Sequence, residues 1–338
     1  MIKTLIVDDS PLVRSILRDF LEEDGNFEII GEAVDGEDGI QKILSLNPDL
    51  VTLDIQMPKK NGLEVIEEVM KKTYVPIVVI TSLDTAKTAY EAALRGAVEF
   101  FPKDTFSASI SPEKKQIIFE TLKRISGTKI QKKAVIEDQI KAVQPEKRCI
   151  NAVVIAASTG GPKALSNFFS LLPGDFSVPI IIVQHNSSGF DRSFAEWLSA
   201  CTTLNVKLAE EGEIPKAGNV YIAITDLHLM IKGDERNFHL AYNDGGPEIN
   251  QKPAADVLFR TAAGSLKETL ISIVLTGMGS DGALGTIKIK EKGGITIAQD
   301  EESSLIYGMP KAAAETGCVD IVLPLDKIPC KLLELTQP

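Results

Sequence analysis

The sequence lacks the features that would tie it to a membrane, a nucleic acid or an oxidising compartment. Its 338 residues include only four cysteines, Cys149, Cys201, Cys318 and Cys330, scattered without the close pairs that bind zinc or exchange disulfides. Reduced thiols that pack or stand idle are therefore expected. No apolar run approaches the ~20 residues needed to span a bilayer. Met1 to Ser10 runs as an apolar strand into Asp8 and Asp9, not in the charged, apolar, small-residue order of a signal peptide. Positive charge is in deficit as well: 36 Lys and Arg against 47 Asp and Glu leave a formal charge of −11. That weighs against general affinity for nucleic-acid backbones or anionic lipid, both of which need clustered cations. A cytoplasmic protein is expected, with neither nucleic acid nor an inserted membrane segment as partner. Histidine is scarce too, with three residues in the chain, so the search for a general base is short.

What is present is a globular balance, 44% hydrophobic and 25% charged, in a chain long enough for two domains. Apolar runs at Thr4 to Val7, Glu28 to Glu32, Leu50 to Leu53, Ile77 to Ile80 and Val98 to Phe101 alternate with helical patterns such as Leu12 to Leu21 and Gly36 to Leu44. This predicts a five-stranded parallel sheet with helices on both faces, closed by a helix at about Ser111 to Ile125. From Ser126 to Arg148 the pattern dissolves into lysines with few aromatics, the composition of a solvated tether or of a segment that touches an acidic partner. A second alternation follows at Ala152 to Ile155, Ile180 to Val183, Val220 to Ile224, Leu270 to Leu275 and Ile295 to Ala298. The fold class is thus α/β, with two doubly wound parallel-sheet domains at about 1–125 and 150–338 and a basic linker over 126–149.

In an open parallel sheet, chemistry collects at the carboxyl ends of the strands. In the first domain those ends carry Asp8 and Asp9, Asp54, Thr81 and Ser82, and Lys103. Any one Asp there reads as a helix cap or turn residue. Three together repel unless a hard cation such as Mg²⁺ sits among them, and a hydroxyl and a lysine supply donors for a phosphoryl group. With Val7-Asp8-Asp9-Ser10 and Leu53-Asp54-Ile55-Gln56-Met57-Pro58 in these places, Met1 to Ile125 resembles the response-regulator receiver family. The resemblance implies that Asp54 is the phosphoacceptor, that Asp8, Asp9, Asp54 and the Gln56 backbone carbonyl hold Mg²⁺, and that Thr81 and Lys103 bind the phosphoryl oxygens. Asp104 stands where that family usually has proline, a change that bears on the loop and leaves the lysine.

In the second domain a strand ending at Ala157 runs into Ser158-Thr159-Gly160-Gly161-Pro162 and a helical pattern from Lys163 to Leu172. A serine on such a turn is presented free of the backbone, with unpaired helix N–H groups behind it for an oxyanion. The same turn also suits a bound phosphate or nucleotide, but the next strand ends in Gln184-His185 where a ribose-binding acid would stand. His228 and His239 sit in apolar settings typical of half-buried structural histidines, which leaves His185 as the candidate base. The glycine-rich run Leu275-Thr276-Gly277-Met278-Gly279-Ser280-Asp281-Gly282 offers Asp281 as a third group or as a plain turn residue. The order Ser, His, Asp differs from the Ser, Asp, His order of α/β-hydrolases. With Tyr307-Gly308-Met309-Pro310, these motifs make Ile150 to the C-terminus resemble the catalytic domain of the chemotaxis protein-glutamate methylesterase family.

That resemblance implies a serine esterase with no cofactor, in which Ser158, His185 and Asp281 are catalytic and the Met278 backbone, with the start of the Lys163 helix, receives the oxyanion. Its substrates would be γ-glutamyl methyl esters and certain glutamines on the cytoplasmic helices of methylated chemoreceptors, and its phosphodonor a chemotaxis-type sensor histidine kinase. In the fusion, phosphorylation at Asp54 would relieve an unphosphorylated receiver packed over the serine site. Asn186-Ser187 replaces the family's usual Met-Pro, and Lys252-Pro253 its Arg-Pro, so substrate choice is where divergence is expected. An esterase or amidase for a small molecule, and a catalytically silent scaffold, are the competing readings.

Overall fold

The computed structural model describes residues 1–82, 86–107, 110–127, 149–248 and 251–337. The chain divides near residue 130 into two compact units, each described by itself. Most of the expected basic linker, residues 128–148, lies outside the described residues.

In the first unit β1 (Ile2–Val7), α1 (Pro11–Glu23), β2 (Phe27–Ala33), α2 (Gly36–Leu46), β3 (Leu50–Leu53), α3 (Gly62–Lys72), β4 (Ile77–Thr81), α4 (Ala86–Arg95), β5 (Glu99–Pro102) and α5 (Pro112–Ser126) alternate along the chain. The strands lie in the order β2-β1-β3-β4-β5, every pair parallel. Local chemistry sets where the helices start. Ser10 Oγ accepts the Val13 N–H with Pro11 in the first turn of α1, and Asn61 and Glu64 form a reciprocal capping box on α3. Phe20 of α1, Phe119 of α5 and Phe106 pack together, with ring centroids 4.8 and 5.0 Å from Phe20. The register pairs Val7 with Leu53 and Thr81 with Pro102, so the residues that follow all four strands emerge at one edge.

The second unit begins with β6 (Ala152–Ala157), α6 (Gly161–Phe169), β7 (Ile180–Gln184), α7 (Asp191–Ser199), β8 (Asn205–Leu208) and β9 (Asn219–Ile222). The hairpin β10 (His228–Asp234) and β11 (Asn237–Asn243) follows, then α8 (Ala255–Leu266), β12 (Leu270–Val274), α9 (Ala283–Glu291), β13 (Ile295–Gln299), α10 (Met309–Glu315), β14 (Ile321–Leu323) and α11 (Ile328–Thr336). A seven-stranded parallel sheet runs β14-β13-β12-β6-β7-β9-β8. Its edges are short: β8 has four residues and β14 three. From β6 the chain winds outward through β7 on one side, then returns to build β12 on the other, which makes the β6 end the topological switch point. β6 is buried along its whole length. Ala152, Val154 and Ala156 face the core under α8 and α10, and the intervening residues point to the opposite face, the period-2 pattern of a central strand.

The structure extends the expected pattern. β8, β14 and the β10–β11 hairpin were not among the expected strands, because the first two are too short to show periodicity, β10 runs into Lys232, Gly233 and Asp234, and β11 is bounded by asparagines with a histidine in its apolar run. Helix α6 ends at Phe169, earlier than the expected Leu172. The cysteines do not pack as core residues: Cys149 and Cys330 are exposed, Cys201 and Cys318 half-buried, and all four are free. His228 is fully buried, not half-buried.

Candidate active site

At the carboxyl edge of the first sheet, the carboxylates of Asp8, Asp9 and Asp54 offer oxygens within 4.8 Å of one another. Asp8 and Asp54 are buried and Asp9 is exposed. Lys103 reaches over from the end of β5, its Nζ 2.8 Å from Asp54 Oδ2 and 2.9 Å from Asp8 Oδ2. The Ile55 N–H donates to Asp54 Oδ1 (2.8 Å). Burial pushes the Asp54 carboxyl above its ordinary pKa, an effect that Lys103 only partly opposes. Burial also works against the Lys103 cation, but its bonds to Asp54 and Asp8 outweigh this and hold its pKa above the usual value. Thr81 is the buried last residue of β4, in register with the residue before Lys103. Gln56 follows in the loop toward α3, its side chain exposed. A set of three hard oxygen donors, with one cation to balance three charges, fits a small oxygen-preferring divalent ion.

At the switch point of the second sheet, Ser158 leaves β6 half-buried. Its N–H donates to the Thr276 carbonyl (3.0 Å) and its carbonyl accepts the Gly161 N–H (2.6 Å), which closes a tight turn. Gly160 sits in that turn at φ +75°, a left-handed conformation open to glycine at little cost, and α6 has no side-chain cap on its first turn. His185 follows β7, its N–H bonded to the Ala157 carbonyl (3.0 Å), so the histidine and the serine emerge from adjoining strands. Its Nε2 lies 2.8 Å from Asp281 Oδ2, while the buried Nδ1 has no hydrogen-bond partner among the described residues. Asp281, 2% exposed, precedes α9. Burial alone would raise its pKa, but the His185 contact and N–H donors from Ala255 (2.6 Å) and Asp256 (2.9 Å) prevail and hold the carboxyl below its ordinary range. An ionised carboxylate needs a donor, so the His185 ring proton sits on Nε2 and the Nδ1 lone pair is left to accept.

The loop after β12 closes over the serine. A Cβ on Gly277 would stand 2.8 Å from Ser158 Cβ and 2.4 Å from Met309 Sδ, so only glycine lets the Gly277–Met278 backbone come this close. His228 and His239 are not the partners of Asp281. His228 accepts the Ala254 N–H at Nδ1 (3.1 Å) and donates from Nε2 to the Gly246 carbonyl (2.9 Å), and His239 lies within β11. Asn186 is half-buried beside His185, and Lys252 forms an ion pair with Asp244 (2.7 Å).

Two residues that sequence reasoning gave no role hold the site together. The Gln184 amide donates from Nε2 to the carbonyls of Ser158 (3.1 Å) and His185 (2.9 Å) and so ties the two turns to each other. Thr276 donates from Oγ1 to the Thr159 carbonyl (3.0 Å) and accepts the Ile306 N–H (3.0 Å), while Gln299 Oε1 accepts the Thr276 N–H (2.8 Å). Their signal in the sequence is a buried amide or hydroxyl at a strand end, which has no ready use unless it bonds backbone.

A parallel sheet with an acid pocket, followed by a second parallel sheet with a serine and a His–Asp pair at its switch point, puts the chain in the class of receiver-linked α/β enzymes. The response regulator receiver domain model matches residues 4–111 and the CheB methylesterase model residues 153–332. The chain belongs to the CheB methylesterase family. It is 41% identical, over 97% of its own length and 92% of the relative's, to the protein-glutamate methylesterase/protein-glutamine glutaminase of Pyrococcus horikoshii. To the protein of that name from Thermotoga maritima it is 37% identical over 99% and 98%. Among solved structures, the crystal structure of the Thermotoga maritima CheB methylesterase catalytic domain shares 42% identity with it, covers 56% of this chain and 100% of that one, and superposes with a TM-score of 0.54. No helix among the described residues is long and apolar enough to cross a membrane.

Proposed function

We propose that the chain is a phosphorylation-regulated serine hydrolase. It removes methyl groups from γ-glutamyl methyl esters on the cytoplasmic helices of chemoreceptors and deamidates certain receptor glutamines, within the cytoplasm. The observation that carries this reading is the buried His185–Asp281 bond, with the second ring nitrogen unpartnered on the strand next to Ser158. His185 Nδ1 takes the Ser158 proton as Oγ attacks the ester carbonyl, and Asp281 stabilises the imidazolium. The Met278 backbone and the first turn of α6 are the candidates to receive the oxyanion. The tetrahedral species collapses with loss of methanol, which takes the proton from His185. Water then attacks the acyl-serine, giving its proton to His185, and the Ser158 hydroxyl is restored as the glutamate leaves.

In the receiver, Asp54 is the candidate phosphoacceptor, with Asp8, Asp9, Asp54 and the Gln56 carbonyl as ligands for Mg²⁺. The metal, when bound, neutralises charge on the phosphoryl oxygens. Lys103, already on Asp54, and Thr81 are the candidate partners of the transferred group, and a chemotaxis-type sensor histidine kinase is the expected donor. The receiver restrains hydrolysis until Asp54 is modified. The test is methanol release from methylated receptor membranes by the full chain, with Mg²⁺ and with or without a small phosphodonor. Release should rise several-fold with the donor, and Asp54→Ala should lose that rise while keeping the basal rate. Release that ignores the donor in both proteins sinks the regulatory reading. No release at all from a protein whose Ser158 still reacts with a phosphonate moves the substrate to another ester or amide.

The Gln184 clamp supplies a separate expectation. A Cβ at Gly161 would lie 2.0 Å from Gln184 Oε1, so Gly161→Ala must push the amide off the carbonyls it joins. Overpacking of this kind costs roughly 1–3 kcal/mol. Methanol release should fall by about 100-fold, since a shift of ~1 Å at the reacting groups has that effect. Thermal melts of the variant, beside its rate of phosphonate labelling, separate the lost geometry from lost folding.

A further inference from the structure

Helices α8 and α9 both begin without a side-chain cap of their own: α8 follows Ala254 and α9 follows Gly282. Each is capped by an acid from the other. Asp281, just before α9, accepts the Ala255 and Asp256 N–H groups at the start of α8. Asp256, in the first turn of α8, accepts at Oδ1 the Gly285 N–H of α9 (2.6 Å), and the Gly282 N–H adds to it. The exchange requires close approach, and a Cβ on Gly285 would stand 2.3 Å from Phe259 Cβ. His228 fixes the same helix start by accepting the Ala254 N–H. Asp256 is 1% exposed, and its Oδ2 has no partner among the described residues. Nothing in the ester chemistry above uses this carboxyl.

We propose that Asp256 is a positioning residue for the reaction at Ser158: by capping α9 in return for the cap that Asp281 gives α8, it fixes Asp281 against His185. The proposal rests on the reading of Ser158, His185 and Asp281 given above. The helix ends provide the reason. Each concentrates partial positive charge and unmet N–H groups, and two such ends locked by exchanged carboxylates leave Asp281 one orientation. Without Asp256 the Gly282–Gly285 turn loses its anchor, and Asp281, one residue before that turn, loses its aim.

Charge gives the second handle. The ionisable groups around Asp256 are Asp281, Glu248 with its ion-pair partner Arg260, and His228 at the start of β10; β6 and β12 contribute none, and Lys288, Lys290 and Glu291 of α9 are exposed. Burial, with Asp281 nearby, pushes the Asp256 carboxyl up to about 6. Above that pH a second negative charge stands behind Asp281 and favours the protonated imidazole. The raised value also fixes the linkage sign: the group's contribution to stability is complete below pH 3.8 and lost as pH rises through about 6. A neutral asparagine is therefore compatible with the fold.

The experiment compares full-length Asp256→Asn, Asp256→Ala and Asp281→Asn in methanol release and in phosphonate labelling of Ser158, from pH 5 to 9. Asp256→Ala should lower kcat by between about 10- and 100-fold with KM little changed, as expected when a reacting group is misaligned by an ångström or less. Asp256→Asn, which can still accept the Gly285 N–H, should recover most of that loss, and the acid limb of its kcat/KM profile should lie at lower pH than in the wild type. A change confined to stability moves neither the kcat-against-KM split nor the limb. Wild-type kcat and an unmoved limb in Asp256→Asn, with wild-type kcat in any folded Asp256→Ala, overturn the proposal. If Asp256→Ala does not fold, the limb in Asp256→Asn decides alone. Should Asp281→Asn itself label and turn over normally, the reading of the His–Asp pair fails instead.

Discussion

Ser158→Ala is expected to reduce methanol release by ~10⁴-fold or more, to the level left by binding and oxyanion contacts alone. The side chain lies in a turn held by backbone, by Gln184 and by the Thr276 hydroxyl on the Thr159 carbonyl, so the substitution removes Oγ and leaves the frame: the Ser158 N–H to Thr276 and the Ser158 carbonyl to Gly161 and Gln184 persist in alanine. The melting temperature should barely move, because no hydrogen bond among the described residues uses the hydroxyl. Parallel melts and methanol assays on one preparation check this. Appreciable release from a well-folded alanine variant would mean that a metal-bound or His-activated water does the chemistry and that the serine is structural.

Asp281→Asn is expected to cost about 10³- to 10⁴-fold in kcat for a different reason. The carboxylate takes three donors, the Ala255 and Asp256 N–H groups and the His185 Nε2–H. Asparagine keeps one acceptor oxygen for α8 and turns an NH₂ toward His185. That amide donates to Nε2, which drives the ring proton onto Nδ1, the nitrogen required to accept from Ser158. The imidazole is then present but wrongly protonated. The same change removes the negative charge that stabilises the imidazolium, so at alkaline pH, where hydroxide can deprotonate the serine directly, part of the loss should be recovered. A pH–rate profile of this variant that rises above neutrality while the wild type is flat supports the tautomer account, and a pH-independent deficit argues for displaced geometry instead.

How far these sites could be read in advance depended on whether neighbours in space were marked along the chain. Asp8, Asp54 and Lys103 were marked because a parallel sheet brings its carboxyl ends together and each residue follows an apolar run directly. His185 stood out since only three histidines compete and two lie within apolar stretches. Gln184 and Asp256 were not marked. The first reads as one more residue of a buried strand, and the second as an ordinary acid near a helix start. What distinguishes them is a partner more than 20 residues away, Ser158 for Gln184 and Gly285 for Asp256, and pairing of that kind leaves no periodic trace. The hairpin escaped notice for a related reason: Lys232, Gly233 and Asp234 interrupt the alternation of β10 just where it meets the turn.

The short outer strands of the larger sheet bear on how a polypeptide can be recognised. Adding an extended peptide to a sheet needs a long row of unpaired N–H and C=O groups, and four residues in β8 and three in β14 offer little to zip against. Main-chain pairing at the margin is thereby discouraged, both for aggregation and for capture of a substrate strand. Selectivity falls instead to side chains and loops at the carboxyl end of the sheet, which meet a polypeptide through its surface features. A ligand that arrives as a preformed helix keeps its own backbone bonds satisfied and gives up none of them on docking, so it suits such a surface better than an unfolded chain does.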